Sequence, residues 1–118
     1  YFVLLLAPND ARKRSTEEVY RAFDEQHSAD GYDRRRSTLL DALENVRRPR
    51  DLATLPSNDL ASSPLADELR TLGAFRADVT GAGPTVYGLY HHRAQADAAR
   101  RQLRGRGRTW LTEPAWYG

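Results

Sequence analysis

Residues 79 to 90 read VTGAGPTVYGLY. Two glycines and a proline stand together at Gly81-Ala82-Gly83-Pro84, and such a cluster interrupts a strand ladder. Strand-like sequence nevertheless lies on both sides. Phe75, Ala77 and Val79 alternate with Arg76, Asp78 and Thr80, the period of a half-buried strand, and Thr85 to Tyr90 supplies a second one. The chain therefore turns at the glycines and brings two strands together. A tight hairpin needs only two residues such as Asn-Gly, whereas this turn is longer and less polar. Glycine permits positive φ and removes Cβ atoms, so the stretch suits a packed hairpin or the close approach of another backbone or a ligand. A phosphate loop of the Walker type does not fit, because no Gly-Lys-Ser/Thr and no helix follow.

The remaining elements can be placed around that hairpin. Tyr1 to Ala7 is a continuous apolar run, the pattern of a strand buried on both faces, and Pro8 ends it. Ser15 and Glu18 have capping-box spacing, which predicts a helix from Ser15 or Thr16 with Val19, Phe23 and His27 on one face, Tyr20 beside them, and a stop at Gly31. A second helix is expected from about Arg34 to before Pro49, with Leu39, Leu40, Leu43 and Val46 facing inward. Ser63 and Pro64 form an N-terminal signature for a third, carrying Leu65, Leu69 and Leu72 and closed by Gly73. The stretch HRAQADAARRQLRGRG predicts the last helix, with Ala96, Ala99 and Leu103 inward, and RTWLTEP a closing strand. The sum is a βαββαβ order with extra helices in the first crossover, which predicts an α+β ferredoxin-like sandwich over residues 1–118 as a single domain.

Composition narrows the chemistry. The 118 residues contain no cysteine, which excludes disulfides and thiolate metal sites and suits a cytoplasmic setting. No apolar run is long enough to span a bilayer. The chain has no methionine and opens with YFVLLLAP, inside an expected strand, so it reads as a piece of a longer protein. Formal charge is only +2, and Lys13 is the only lysine. Arginine clusters at 34–36, at 47–48 and at Arg100, Arg101, Arg104, Arg106 and Arg108 are candidate anion patches. With acidic residues close to the first two, solvated faces are the preferred reading over nucleic-acid binding. His91 and His92 are adjacent, diverge on either regular element, and have no carboxylate motif beside them, so no metal site is assigned. Asp59 reads as a turn or cap residue and Asp78 as a solvent-facing strand residue. Thr80 and Thr85 flank the turn, where their hydroxyls suit either a substrate contact or simple strand propensity.

These stretches carry a resemblance. TGAGPTVYGLY resembles the third conserved motif of the GHMP kinase superfamily, and within it the Gly-Ser-Gly-Pro-Thr-Val-Phe-Gly of the 4-diphosphocytidyl-2-C-methyl-D-erythritol kinase family. STEEVYRAFD is similar to that family's Ser-Thr-x-x-x-Tyr helix, SNDL to its Asn-Asp-Leu segment, and ADAARRQL with TWLTEP to its last helix and strand. The turn PNDARKRST lacks the glycine that the family usually carries there.

The resemblance implies the C-terminal lobe of an enzyme of non-mevalonate isoprenoid biosynthesis that transfers the γ-phosphoryl of ATP to a substrate hydroxyl. It implies ATP and Mg²⁺ in the full-length enzyme and none bound to the fragment. The family's ATP loop and its catalytic Asp and Lys belong to the N-terminal lobe, and none of those motifs occurs here. Gly81, Ala82, Gly83, Pro84 and Thr85 are the implied substrate-binding loop, no catalytic residue is assigned, and the partner is an N-terminal lobe of the same chain. The fragment alone is expected to be inactive and to self-associate through an uncovered interlobe surface. The competing reading is a ferredoxin-like small-molecule or RNA-binding module without catalysis.

Overall fold

The computed structural model describes residues 1–9, 16–26 and 31–115, without the side chains of Thr16 and Gln26. Ser15 and His27, assigned above to the first helix, lie outside the described residues. The elements run β1 (Phe2–Pro8), α1 (Thr16–Gln26), α2 (Tyr32–Glu44), a 3₁₀ helix (Pro49–Thr54), α3 (Pro64–Thr71), β2 (Arg76–Val79), β3 (Val86–Tyr90), α4 (Arg93–Gln102), a short 3₁₀ turn (Arg104–Arg106) and β4 (Gly107–Thr112). The strands form an antiparallel sheet in the order β2-β3-β1-β4. This is the expected α+β ferredoxin-like arrangement, with α1, α2 and the first 3₁₀ helix added to the first crossover. No helix among the described residues is long and apolar enough to cross a membrane.

Register explains the two faces of the sheet. Leu4 lies opposite Gly88 and Leu111, and Leu6 opposite Val86 and Thr109, so these residues share a face. On it Leu4, Leu6, Ala77, Val79, Val86 and Tyr90 pack with Leu65, Ala66 and Leu69 of α3 and with Ala96 and Ala99 of α4. Of the expected inward residues, Leu65, Leu69, Ala96, Ala99 and Leu103 are in the core, and Leu72 packs half-buried against it. Local chemistry starts α3 as anticipated. Ser63 Oγ accepts from Leu65 N at 3.2 Å, and Pro64 fills a first-turn position where no N–H is needed. Gly88 matters to this packing: a Cβ there would lie 3.0 Å from the Tyr90 ring and 3.5 Å from Leu69 Cβ, so its absence lets α3 approach the strand.

Three expectations need correction. The apolar run of β1 is not buried on both faces: Leu4 and Leu6 are fully buried, while Val3, Leu5 and Ala7 on the opposite face are half-buried. The second helix starts at Tyr32 and ends at Glu44, with no buried residue. Leu39, Leu40 and Leu43 are 42%, 42% and 47% exposed, so the stripe assigned to the interior faces outward. Asp78, assigned to solvent, is buried at 6% exposure. The reason is the covering of β2's second face. Arg76 donates from Nε to Tyr87 Oη (3.0 Å), from Nη1 to the carbonyls of Leu52 (3.1 Å) and Leu55 (2.7 Å), and from Nη2 to that of Pro56 (2.9 Å). One guanidinium thereby ties the end of the first 3₁₀ helix and the residues after it to β2, using its planar fork of donors.

That 3₁₀ helix has its own start signal. Asp51 Oδ2 accepts from the backbone N–H groups of Arg47 (3.0 Å) and Arg48 (2.9 Å). These two bonds, with the Arg48 side chain, hold the Asp51 carboxyl below the usual carboxylate range.

Candidate functional site

The glycine turn closes on itself before anything else touches it. Thr80 N donates to Thr85 O at 2.9 Å, Thr80 Oγ1 reaches the same carbonyl at 3.2 Å, and Gly83 N donates to Thr80 O at 2.9 Å. Gly81 and Gly83 have φ of +52° and +83°, a region that side chains with a Cβ seldom occupy, and the Gly83-Pro84 bond is cis. A Cβ on Gly83 would also come within 3.1 Å of Val79 Cγ1, whereas one on Gly81 would meet nothing within 4 Å. The two glycines thus serve different ends. Gly83 answers to conformation and to contact with its own strand; Gly81 answers to conformation and leaves open space.

A second segment meets this turn. Asn58, from the SNDL stretch, donates from Nδ2 to Val79 O at 2.8 Å and to Gly81 O at 2.7 Å. Its Oδ1 accepts from Leu60 N at 2.7 Å, and its backbone N donates to Asp78 Oδ2 at 2.7 Å. Asp78 Oδ1 accepts from Val79 N at 2.8 Å, and Arg76 Nη2 stands 3.9 Å from Asp78 Oδ2. The buried carboxylate is therefore satisfied by two backbone donors beside a cation, as burial of charge requires. Sequence reasoning singled out both SNDL and the glycine loop, and the structure brings them together. It did not anticipate Asn58 or Arg76 as the residues that join them; the signal was the polar Asn-Asp pair between turn-forming stretches.

The loop's chemistry follows from what it leaves unpaired. Among the described residues nothing accepts from the backbone N–H groups of Gly81 and Ala82, and the Thr85 hydroxyl makes no hydrogen bond. Pro84 has no N–H to offer. Consecutive free backbone donors on a turn with positive φ suit an anionic oxygen. The Thr80 hydroxyl, a candidate substrate contact, is instead spent on closing the turn. Asp59 is exposed within the turn set by Asn58, so it makes no pair with Asp78.

Other candidates are dispersed. His91 stacks on Phe75 with ring centroids 4.1 Å apart, and His92 stands at the start of α4. No group of three or more His, Cys, Asp or Glu able to hold a metal occurs among the described residues. Several arginines are engaged: Arg106 with Glu68 (3.2 Å), Arg100 with Thr109 Oγ1 (3.0 Å), and Arg108 over the Trp110 ring (5.6 Å).

Comparison with known proteins bears on this arrangement. Residues 39–109 match the family described as GHMP kinases C terminal. No curated protein matches the sequence. Among solved structures, the crystal structure of a 4-(cytidine 5'-diphospho)-2C-methyl-D-erythritol kinase superposes with a TM-score of 0.62 at 23% identity, covering 93% of this chain and 41% of that one. L. major mevalonate kinase in complex with R-mevalonate superposes with a TM-score of 0.67 at 17% identity, covering 97% and 43%. Methanococcus jannaschii mevalonate kinase gives 0.62 at 17%, covering 93% and 38%. At these identities the likeness is one of fold, and the chain spans about two fifths of the length of each.

Proposed function

The chain belongs to the GHMP kinase C-terminal family, and on that premise we propose that it is the C-terminal lobe of an ATP-dependent kinase that phosphorylates a hydroxyl of a small metabolite. The observation that carries the proposal is the family match across α3, the glycine turn and α4, with free backbone donors at Gly81 and Ala82. The remaining three fifths of such a kinase is an N-terminal lobe, the partner in this reading. The family match favours this reading over the alternative of a ferredoxin-like small-molecule or RNA-binding module without catalysis.

In the full enzyme ATP supplies the phosphoryl group and Mg²⁺ neutralises part of its charge. Among the described residues no group of three or more His, Cys, Asp or Glu could hold the ion. The contribution of this lobe is positional. Gly81 and Ala82 offer N–H donors to an anionic oxygen, Gly83 and Pro84 shape the turn that presents them, and the Thr85 hydroxyl is available to a substrate hydroxyl or phosphate.

The acceptor proposed is a cytidine-diphosphate-linked methylerythritol. Support comes from three stretches: Gly81 to Gly88, Asn58 to Leu60, and the Ser15-Thr16…Tyr20 spacing. The test uses the full-length protein with ATP and Mg²⁺, offered either 4-diphosphocytidyl-2-C-methyl-D-erythritol or R-mevalonate. The expected result is a new phosphomonoester signal in ³¹P NMR with the first acceptor only. Turnover of mevalonate, or of neither acceptor, overturns the acceptor assignment; full-length protein that neither binds ATP with Mg²⁺ nor transfers its phosphoryl group to any small hydroxyl acceptor overturns the kinase reading. The isolated 118-residue chain is expected to release no ADP.

A further inference from the structure

The glycine turn receives one set of hydrogen bonds from outside its own hairpin, and Asn58 makes them. Among the described residues the Thr80–Thr85 closure and the Gly83 N to Thr80 O bond are internal, while the Asn58 amide alone reaches in, to Val79 O and Gly81 O. Both Nδ2 protons are used, and Oδ1 is held by Leu60 N, so the amide has one orientation that satisfies all three partners.

Peptide planarity turns this into a statement about a donor. The carbonyl of Gly81 and the N–H of Ala82 belong to one rigid, trans unit, in which the two groups point in opposite directions. Holding Gly81 O on Asn58 therefore aims the Ala82 N–H away from Asn58, and that N–H has no partner among the described residues. Asn58 is itself held from behind: its backbone N–H lies on the buried Asp78 carboxylate, next to Arg76, which fastens the 52–56 segment to the sheet.

Resting on the kinase reading above, we infer that Asn58 is a positioning residue for phosphoryl transfer: it fixes the Gly81–Ala82 peptide so that the Ala82 N–H meets a phosphate oxygen. Asn58 touches neither substrate nor nucleotide. It acts through the turn.

The test compares Asn58→Ser with wild type in the full-length protein. Serine at this position retains the backbone N–H for Asp78 and a short acceptor for Leu60 N, and it cannot reach Val79 O and Gly81 O. Two readouts are taken: steady-state kinetics, and the amide resonance of Ala82 with its hydrogen-exchange rate. The expected result is a kcat lower by about a hundredfold, the scale for a misplaced reacting group, with KM for ATP changed by less than about threefold. The Ala82 amide should shift and exchange faster while the melting transition persists. A shifted Ala82 resonance with unchanged kcat overturns the inference, as does a kcat that falls only with the folded fraction. If the wild type transfers no phosphoryl group, the kinase reading fails and the inference about catalysis with it. The resonance then separately decides the structural half: an unmoved Ala82 amide shows that Asn58 does not set the turn.

Discussion

The buried carboxylate of Asp78 accepts a hydrogen bond from the backbone N–H of Asn58 at 2.7 Å, joining residues twenty positions apart. This bond seats the SNDL segment on β2 next to the glycine turn. The connection between the 3₁₀ helix and α3 thereby becomes part of the same rigid unit as the hairpin. Arg76 completes that unit from the neighbouring position on the strand.

Arg76→Lys tests how much the unit depends on a guanidinium. An ammonium offers three donors from one point and cannot span Tyr87 Oη and three separate carbonyls. The expected loss is about 1–3 kcal/mol in denaturant unfolding, from the charged hydrogen bonds forfeited. Limited proteolysis should cut first between residues 47 and 60. A variant with wild-type unfolding and an intact segment would show that the fork is dispensable.

Gly83→Ala separates conformation from function. With φ at +83° and Val79 Cγ1 3.1 Å from the added Cβ, the substitution should lower stability by about 1–2 kcal/mol. If the turn positions the transfer as proposed, kcat/KM of the full-length protein should fall further than this, by about a hundredfold. Melting temperature and kcat/KM measured together decide the matter. Parallel losses would reduce the turn to a packed hairpin.

Tyr90 makes stability sensitive to alkali. Its side chain is fully buried, its hydroxyl donates to Leu69 O at 3.3 Å, and burial pushes its pKa from 10.0 up to about 12. The folded state thus holds the phenolic proton more tightly than the unfolded chain. The stabilisation is fully present below pH 10 and is lost as pH rises towards 12, in total about 2–3 kcal/mol for a shift of this size. Urea midpoints at pH 8, 9.5, 10.5 and 11.5 should decline steeply in the wild type and less steeply in Tyr90→Phe. Equal slopes would assign the alkaline loss to other groups.

The outward stripe of α2 predicts association of the isolated chain. Leu39, Leu40 and Leu43 lie on one side of the helix and are all exposed, as is Tyr32. Sedimentation should show mass rising with concentration, and Leu39→Glu combined with Leu43→Glu should return a monomer with unchanged circular dichroism. A wild-type chain that stays monomeric at high concentration and binds no hydrophobic dye would contradict this.

How much of this was legible in the sequence depends on the distance over which each feature is determined. The Ser63-Pro64 start of α3 and the glycine break between β2 and β3 are local, written in residues that act on their own backbone. The core residues of α3 and α4 follow from helical period alone. Asp78 was misread because alternation reports which face a residue is on, and a covering segment twenty residues away decides whether that face is wet. Leu39, Leu40 and Leu43 have the period of an inward stripe, and period says nothing of whether a partner lies opposite. In β1, an unbroken apolar run conceals two faces of unequal burial. In the site, the glycine turn and the SNDL segment were both visible, while the hydrogen bonds joining them depend on tertiary placement.

The order of the sheet also dictates a timetable. β1 sits in the interior of the sheet, yet Leu4 finds its neighbours at Gly88 on one side and Leu111 on the other. Among the described residues only β2 and β3 are paired across a short loop. Every other strand contact closes a loop of about eighty residues or more, the kind of non-local pairing that slows folding. During synthesis the FVLLLAP segment must stay unpaired until most of the domain exists. The early hairpin, built around the glycines, is then the template onto which the first strand is finally laid.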